Sequence, residues 1–305
     1  MIKKLAKALI PDFILALRHQ LLKRKAFVSM RRRFTEIIRY YEHLSLHELS
    51  TEKREVINFL KRNIKSDSPL QYPVSKMYDS TKINVYYDKD QQMNYVLHNN
   101  KRLYFKKKWD QSSTVKEAYN NLLIEQDLES PHRYDTQTFS VEEGDVVVDL
   151  GSAEGIFALS VIERVKRMYL FEVDQDWISA LEATFKPWRE KVTIINKYVS
   201  NVDSDDMVTL DTFFKSGQID FIKADIEGAE PKLLEGASKI LSRQFAPKLV
   251  LCTYHRQNDA EILEKMLSNY GFTTSYSKGY VLWHLDEFQP PYLRKCLIRA
   301  EKTAK

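Results

Sequence analysis

Acidic residues and glycines at the ends of two predicted strands carry the most informative chemistry in this sequence. The apolar run 146–148 leads into Asp149-Leu150-Gly151-Ser152-Ala153-Glu154-Gly155, and a second apolar run ends at Glu172. This order of strand, glycine turn, helix, strand and acid is typical of a βαβ nucleotide-binding unit. Glycines let backbone N–H groups approach the ligand, and an acid about 20 residues beyond the turn accepts hydrogen bonds from ribose. The pattern predicts a site for a nucleoside-containing cofactor.

The spacing of the glycines distinguishes between two such cofactors. Gly151 and Gly155 form Gly-x-x-x-Gly, which lacks the three glycines of a dinucleotide fingerprint, and Asp149 stands just before the turn. S-adenosylmethionine has no pyrophosphate to cradle and carries a cationic amino-acid end, so this combination favours it over NAD. In the alternative interpretation, Gly151 is a simple turn glycine and Glu172 is a solvated carboxylate at a strand end.

Three further acidic residues follow the fourth predicted strand. Asp225, Glu227 and Glu230 lie within six residues, at the start of a predicted helix. The carboxyl ends of parallel strands meet at one edge of a sheet, where ligands bind. There the carboxylates would bind a divalent cation or the hydroxyl groups of a sugar. Alternatively, they compensate the helix dipole. Asp225 and Glu227 are the candidate metal ligands.

Two histidines are candidates for proton transfer. His255 ends the fifth predicted strand, and an imidazole that titrates near neutral pH suits a general base that removes a hydroxyl proton. His132 lies in the polar loop 130–134, just before the nucleotide unit, and could close over a substrate. The alternative for both histidines is a structural role. The catalytic candidates are therefore His255, Asp225, Glu227 and His132.

Strands and helices alternate from residue 145 onward, which predicts an α/β fold with a mostly parallel sheet covered on both faces. The predicted strands are 145–150, 167–173, 191–198, 219–225 and 247–254, and the predicted helices are 155–166, 175–186, 230–242 and 259–269. Phe272–Ser277 and Tyr280–Leu285 flank Gly279 and are expected to form a terminal antiparallel hairpin. Together these elements predict a class I Rossmann-like methyltransferase sheet of seven strands.

The first 130 residues are expected to fold outside this unit. Residues 27–63 are predicted to be helical, 95–98 and 101–105 to form a hairpin through Asn99-Asn100, and 115–126 to form a helix. We therefore predict three parts: a basic amphipathic and helical region over 1–65, a small α+β region with a hairpin over 66–130, and an S-adenosylmethionine-binding methyltransferase domain over 131–305.

Charge is distributed unevenly along the 305 residues. The net charge is +5, but residues 1–33 carry ten Lys and Arg against one acid, so the rest of the chain sums to −4. A mildly acidic body argues against a nucleic-acid partner. The basic segment 1–33 has apolar residues at four-residue intervals, so it would lie on an anionic membrane or pack its apolar stripe on its own protein.

Neither a signal peptide nor a membrane-spanning stretch is expected. Two cysteines without metal-ligand spacing indicate a reducing compartment, which predicts a cytoplasmic location. If the basic segment lies on a membrane, the protein is expected at the inner face of that membrane.

At this point the chain resembles a known family, the FkbM-type methyltransferases, over about residues 130–270. The matching segments are Val147–Gly155, Leu170–Glu172, Asn196–Ser200, Thr209–Asp211, Ile219–Glu230 and Leu234–Ala237. The resemblance implies S-adenosylmethionine-dependent O-methylation of a hydroxyl, often on a sugar or a secreted-polymer precursor. The last strand departs from the family pattern, because a family member would commonly carry an acid before the histidine, where this chain has Cys252-Thr253-Tyr254-His255.

The resemblance also implies roles for individual residues. Asp149, Gly151 and Gly155 would form the turn beside the methionine end of the cofactor, and Glu172 would bind ribose. Val199 and Ser200 would flank the adenine, and Asp225 would lie near the methyl-transfer centre. The full set of candidate cofactor-binding residues is Asp149, Gly151, Ser152, Glu154, Gly155, Glu172, Val173, Val199, Ser200 and Asp225.

Two rival functions remain open on the same scaffold. One is an NAD-dependent sugar-modifying enzyme, which would need a second glycine after Gly151, where this chain has Ser152-Ala153-Glu154, and a Tyr-x-x-x-Lys pair. The other is a non-catalytic scaffold in a glycan-biosynthesis complex. A base-methylating enzyme is not expected, because Gln289-Pro290-Pro291-Tyr292 follows the final hairpin rather than the fourth strand. The expected partner is a small-molecule or glycan acceptor, and the oligomeric state is left open.

Overall fold

The computed structural model describes residues 31–44, 49–64, 70–215, 217–282 and 288–302. The predicted amphipathic segment before residue 31 lies outside these ranges. The described chain begins with a helix over residues 31–43 (α1) and a second helix, Thr51–Arg62 (α2). Ser50 caps α2, because its hydroxyl accepts a hydrogen bond from the Lys53 N–H, and Lys61 and Arg62 lie in the last turn, where the helix dipole favours cations.

A small antiparallel sheet and one helix follow. The strands are Tyr86–Asp88 (β1), Met93–His98 (β2) and Lys101–Tyr104 (β3), and the helix is Ser112–Glu125 (α3). Asn99 and Asn100 form the turn between β2 and β3, both with positive φ, as a two-residue hairpin requires. The predicted hairpin and the predicted helix over 115–126 are confirmed. A 3₁₀ turn, Ser80–Lys82, precedes β1.

The remaining described residues form the large α/β unit. Its strands are Val146–Leu150 (β4), Arg167–Phe171 (β5), Val192–Ile195 (β6), Tyr198–Val199 (β7), Met207–Val208 (β8), Phe221–Ala224 (β9), Lys248–Cys252 (β10), Thr273–Tyr276 (β11), Tyr280–Val281 (β12), Arg294–Lys295 (β13) and Leu297–Glu301 (β14). Its helices are Ile156–Val161 (α4), Gln175–Phe185 (α5), Leu210–Phe213 (α6), Glu230–Gly236 (α7), Ser238–Leu241 (α8) and Asp259–Asn269 (α9).

Seven of these strands form the central sheet, in the order β11-β14-β10-β9-β4-β5-β6. The five strands from β6 to β10 in this order are parallel, and β14 runs antiparallel to both of its neighbours. One face of the sheet packs against α4 and the β2–β3 hairpin, and the other packs against α7, α8 and α9. The predicted fold, a class I Rossmann-like methyltransferase sheet, is confirmed. The three-part domain boundaries stay a prediction.

The predicted pairing of 272–277 with 280–285 as a terminal hairpin is wrong. β11 pairs with β14, and the segment after Gly279 pairs as β12 with β13 instead. The chain leaves the sheet at Ser277, whose N–H donates to the Leu297 carbonyl. Beyond Ser277, the Tyr280 N–H donates to the Tyr72 hydroxyl at 2.5 Å, and that hydroxyl donates to the Tyr280 carbonyl at 2.9 Å. This long-range contact draws the segment towards the N-terminal region, which local pattern could not reveal.

The helix predicted over 230–242 is divided into α7 and α8. Gly236 lies so close to the Ser200 carbonyl that a Cβ atom there would collide with it. Asp211 then accepts hydrogen bonds from the N–H groups of Lys239 and Ile240, at 2.9 and 3.0 Å, which begins α8 anew. By contrast, the helix predicted over 259–269 has those bounds in the structure.

α1 and α2 pack against the C-terminal part of the chain. Phe34 and Ile37 of α1 share a buried apolar cluster with Leu60 of α2 and with Leu293. The Tyr41 hydroxyl also donates to the carbonyl of Pro291. No helix in the described ranges combines the length and the apolar character needed to cross a bilayer.

Candidate active site

The glycine turn after β4 is shaped by its contact with β9. Gly151 has φ +70°, and a Cβ atom on it would collide with the backbone carbonyl of Asp225. Its N–H donates to the Phe171 carbonyl at 3.0 Å. Glycine is therefore required at this position, and the turn stands at the carboxyl edge of three adjacent strands, β5, β4 and β9. Gly155 has a different role, because its missing side chain leaves room for Leu181 and Phe185.

Glu172 stabilises the same turn from the end of β5. One carboxylate oxygen accepts from the Ala153 N–H at 2.8 Å, and the other accepts from Val173 and Asp174 at 2.7 and 2.9 Å. An ionised carboxylate has about four acceptor positions, so it can still accept from the hydroxyl groups of a ligand. The sequence interval between the glycine turn and Glu172, which predicted a ribose-binding acid, brings Glu172 directly beside the turn.

A cavity of about 340 Å³ opens at this edge of the sheet. Its lining residues are Leu150, Gly151, Ala153, Phe171, Glu172, Val173, Trp177, Lys197, Tyr198, Val199, Asp225, Ile226, Glu227 and Ala229. Six predicted site residues are among them: Gly151, Glu172, Val173, Val199, Asp225 and Glu227. The other predicted site residues are buried and do not line the cavity. They are Asp149, Ser152, Glu154, Gly155, Ser200, His132 and His255.

Asp149 is paired inside the protein. Its carboxylate is fully buried and lies 2.9 Å from the ammonium of Lys223 on β9. Burial raises the pKa of Asp149, which Lys223 partly offsets. Burial alone would lower the pKa of Lys223, but Asp149 and Asp225 raise it well above its ordinary value. Lys223 is a site residue that was not predicted, although a lysine between apolar residues of a central strand is unusual and indicates a buried partner.

Asp225 is the centre of a hydrogen-bond network that faces the cavity. Its carboxylate accepts from the Tyr134 hydroxyl at 2.9 Å and from the Tyr254 hydroxyl at 3.3 Å, and it lies 3.1 Å from Nε2 of His255. Burial raises the pKa of Asp225, but His255 and Lys223 lower it far below its usual range. Asp225 is therefore a fixed carboxylate with about a quarter of its side chain exposed.

His255 lies between two carboxylates. Its Nδ1 is 3.2 Å from Glu230, which is fully buried, and its Nε2 is 3.1 Å from Asp225. Burial lowers the pKa of His255, but the hydrogen bonds to Asp225 and Glu230 outweigh it and raise the pKa to about 10. At neutral pH the ring is an imidazolium, whose two N–H groups donate hydrogen bonds to Asp225 and Glu230. The general-base role inferred from sequence is untested, and this arrangement favours a role in orienting Asp225.

His132 is the neutral histidine of the site. Burial lowers its pKa to about 4, with Asp225 opposing and Lys223 reinforcing the shift. Its Nε2 lies 2.8 Å from the Tyr254 hydroxyl and 4.0 Å from Asp225. Since the ring is buried behind Tyr134 and Tyr254, it supports the network rather than reaching the cavity.

The residues present do not fit a divalent cation well. Glu227, one of the two predicted ligands, directs a side chain that is 78% exposed towards solvent. Two groups of described residues bring potential ligand atoms close together: Asp225, Glu230 and His255, and His132, Asp225 and Cys252. In the first group each ring nitrogen already faces its own carboxylate. In the second, the Tyr134 hydroxyl already contacts all three ligand atoms, at 3.5 Å from His132 Nε2, 2.9 Å from Asp225 Oδ2 and 3.8 Å from Cys252 Sγ.

The N-terminal region contacts one residue of the cavity wall, Trp177. Lys106, which follows β3, pairs with Asp174 at 2.5 Å and lies 4.3 Å from the ring centre of Trp177. Trp177 also contacts Trp109 edge to face. These contacts position the Trp177 ring at the cavity wall.

Fold and site together define a Rossmann-like methyltransferase architecture, and comparisons with known proteins agree. Residues 171–274 match the model of the methyltransferase FkbM domain, which confirms the resemblance inferred from sequence over this segment. Such a domain implies S-adenosylmethionine as cofactor. No curated protein matches the chain.

Several solved structures similar to this chain are methyltransferases. Methyltransferase FkbM from Methylobacillus flagellatus aligns at 17% identity and TM-score 0.43, over 80% of this chain and 62% of that protein, so the chain spans less than two thirds of its length. A precorrin-6y C5,15-methyltransferase from Geobacter metallireducens aligns at 12% identity and TM-score 0.36, over 53% of this chain and 82% of that one. An rRNA methylase from Streptococcus thermophilus aligns at 19% identity and TM-score 0.37, over 53% and 89%.

Proposed function

We propose that this protein is an S-adenosylmethionine-dependent O-methyltransferase that acts on a hydroxyl of a sugar or polysaccharide precursor. The observation that carries the proposal is the cavity between Gly151, Glu172 and Val199, with the Asp225 carboxylate in its wall. The match to an FkbM domain supports the same cofactor.

The lining supports one orientation of the cofactor. Glu172 would accept from the ribose hydroxyls, the turn at Gly151 and Ala153 would contact the methionine end, and Val199 would pack against the adenine. The reacting end would then lie towards Asp225. Carboxylates along this path favour a cationic ligand, because opposite charges attract strongly where water is excluded.

The bound cofactor would supply an electrophilic methyl group on a sulfonium sulfur. Asp225 would accept a hydrogen bond from the acceptor hydroxyl and orient its oxygen for in-line attack. The acceptor hydroxyl would lose its proton to solvent, because the low pKa of Asp225 makes its carboxylate a good hydrogen-bond acceptor and a weak base. His255 would keep Asp225 ionised and oriented. Most of the rate would therefore come from positioning.

A sugar acceptor is supported by the groups at the cavity mouth. The side chain of Glu227 is exposed there, and Tyr198 and Trp177 line the opening. Exposed carboxylates accept from sugar hydroxyls, and aromatic rings offer flat apolar faces. Tyr134 is buried and bonded to Asp225, so it belongs to the network behind the wall and not to this opening.

Calorimetric titration with S-adenosylhomocysteine and, in parallel, NAD tests the cofactor. We expect binding of the former, without NAD binding, and a loss of at least tenfold in Glu172→Ala. Glu182→Ala, on the exposed face of α5, is the matched control and should bind normally. NAD binding would favour the sugar-oxidising alternative, and binding of neither ligand would favour the scaffold.

The acceptor is tested by transfer of a radiolabelled methyl group from S-adenosylmethionine. We expect label in neutral oligosaccharide or nucleotide-sugar acceptors, retained after mild alkaline treatment, since a methyl ether resists alkali and an ester does not. Label in RNA, or alkali-labile label, contradicts an O-methyl ether on a sugar.

We further propose that the basic segment 1–33 contacts an anionic membrane that carries the acceptor. Each Lys or Arg near such a surface contributes about 1 kcal/mol. Removal of residues 1–30 spares the packing of Phe34 and Ile37 in α1. We expect this truncation to abolish sedimentation with phosphatidylserine vesicles; unchanged sedimentation contradicts the membrane contact.

A further inference from the structure

Lys223 lies where an apolar residue would be expected. It occupies the middle of β9, directly beside Asp149 of β4 and Val250 of β10 in the central sheet. Its side chain is only 5% exposed. Its neighbours on the same face, Val147 and Phe221, belong to the apolar core. A buried ion pair adds little net stability compared with well-packed apolar residues, so stability alone does not explain a lysine at this position.

The ammonium of Lys223 connects both ends of the glycine turn. It lies 2.9 Å from the Asp149 carboxylate, just before the turn, and donates to the Gly151 carbonyl at 2.7 Å, within the turn. It also lies 3.4 Å from the Leu150 carbonyl and 5.2 Å from the ring centre of Tyr134. Its donors are thus directed at the turn.

We propose that Lys223 is a positioning residue for the cofactor site, which holds the glycine turn in its ligand-binding conformation by bonding the Asp149 carboxylate and the Gly151 carbonyl together. Asp149 thereby acts on the cofactor through Lys223 and the turn, since its own carboxylate does not line the cavity. The pair is neutral as a whole, so a cationic ligand meets no repulsion from the ammonium. This inference rests on the proposed function, because it concerns the same cavity.

Three variants separate positioning from stability: Lys223→Met, Asp149→Asn and the double variant. Lys223→Met leaves Asp149 buried without its cation, so we expect a large fall in melting temperature and weak binding of S-adenosylhomocysteine. The double variant removes both charges, so its melting temperature should return close to that of the wild type. The Gly151 carbonyl still lacks its donor there, and we expect the dissociation constant to stay ~10- to 100-fold above wild type.

Lys232→Met, which removes an exposed lysine of α7, is the matched control, and its melting temperature and affinity should equal those of the wild type. Asp149→Asn keeps an oxygen that can accept from Lys223, so the bond to Gly151 remains and its affinity should fall less than that of the double variant. A double variant that is stable and binds as tightly as wild type overturns the positioning role, as does an Asp149→Asn variant that binds as weakly as the double variant. If Lys223→Met does not fold, the double variant carries the test. If wild-type protein itself does not bind S-adenosylhomocysteine, the proposed function fails instead.

Discussion

Replacing His255 by glutamine should change how stability depends on pH. In the folded protein Asp225 and Glu230 raise the pKa of His255 to about 10, against 6.5 for a free histidine. A group whose pKa is raised by folding stabilises the folded state fully below its unfolded pKa. That stabilisation disappears as pH rises through the folded pKa. The relevant window therefore runs from about pH 6.5 to about pH 10.

The magnitude follows from the two pKa values. Each pKa unit corresponds to about 1.4 kcal/mol, so His255 contributes about 4 kcal/mol at pH 7 and about 1.5 kcal/mol at pH 9. The side chain is only 4% exposed, so solvent screens these contacts little. Wild-type protein should therefore lose about 2.5 kcal/mol more of its free energy of unfolding between pH 7 and pH 9 than His255→Gln does.

Urea denaturation at the two pH values measures this difference. His98→Gln is the matched control: burial lowers the pKa of His98 to about 4, so this ring is neutral throughout the window. His98→Gln should lose as much stability from pH 7 to pH 9 as wild type does. If His255→Gln loses as much stability between pH 7 and pH 9 as wild type, His255 is not an imidazolium in the folded protein. That result would favour the general-base role of His255.

Three further predictions concern the turn and the cavity wall. Gly151→Ala should abolish S-adenosylhomocysteine binding, because its Cβ meets the Asp225 carbonyl. Gly144 has positive φ but open space around it, so Gly144→Ala should lower the free energy of unfolding by only about 1–2 kcal/mol and bind normally. Equal calorimetric affinities for the two variants would contradict the close approach. Burial raises the pKa of Glu154 to about 7, so the penalty of ionising it grows between pH 4.5 and 7. Glu154→Gln should therefore be more stable than wild type at pH 8, by about 3 kcal/mol, and not at pH 4.5, and equal melting temperatures at pH 8 would refute the burial of this charge. Ligand binding should change tryptophan fluorescence in wild type and in Trp188→Phe but not in Trp177→Phe, since Trp177 lines the cavity; a response that survives in Trp177→Phe would locate the ligand elsewhere.

The parts of the fold that could be predicted are those specified by neighbouring residues. The helix over 259–269 follows from apolar periodicity, and the Asn99-Asn100 turn follows from two residues that tolerate positive φ. The glycine turn and Glu172 were predictable because a βαβ unit brings a fixed sequence spacing to one edge of the sheet. The pairing of β11 with β14 was not, because some 20 residues and a contact with Tyr72 intervene.

The electrostatics of the site could not be inferred from sequence. Asp149 and Lys223 are 74 residues apart, and only the register of β4 with β9 brings them side by side. The charge of His255 depends on Glu230, whose burial follows from the packing of α7. Tyr134 and Tyr254 reach Asp225 from a loop and from the strand end, and no spacing rule relates them. Residue types therefore indicated the place of the chemistry, and three-dimensional contacts determined the protonation states.

A crystal structure of the protein with S-adenosylhomocysteine is the most direct test of the central claim. The account predicts the ribose hydroxyls within hydrogen-bond distance of Glu172, the adenine against Val199, and the sulfur directed towards Asp225. A ligand bound outside this cavity, or one bound in reverse with its adenine beside Asp225, would contradict the proposed methyl-transfer site.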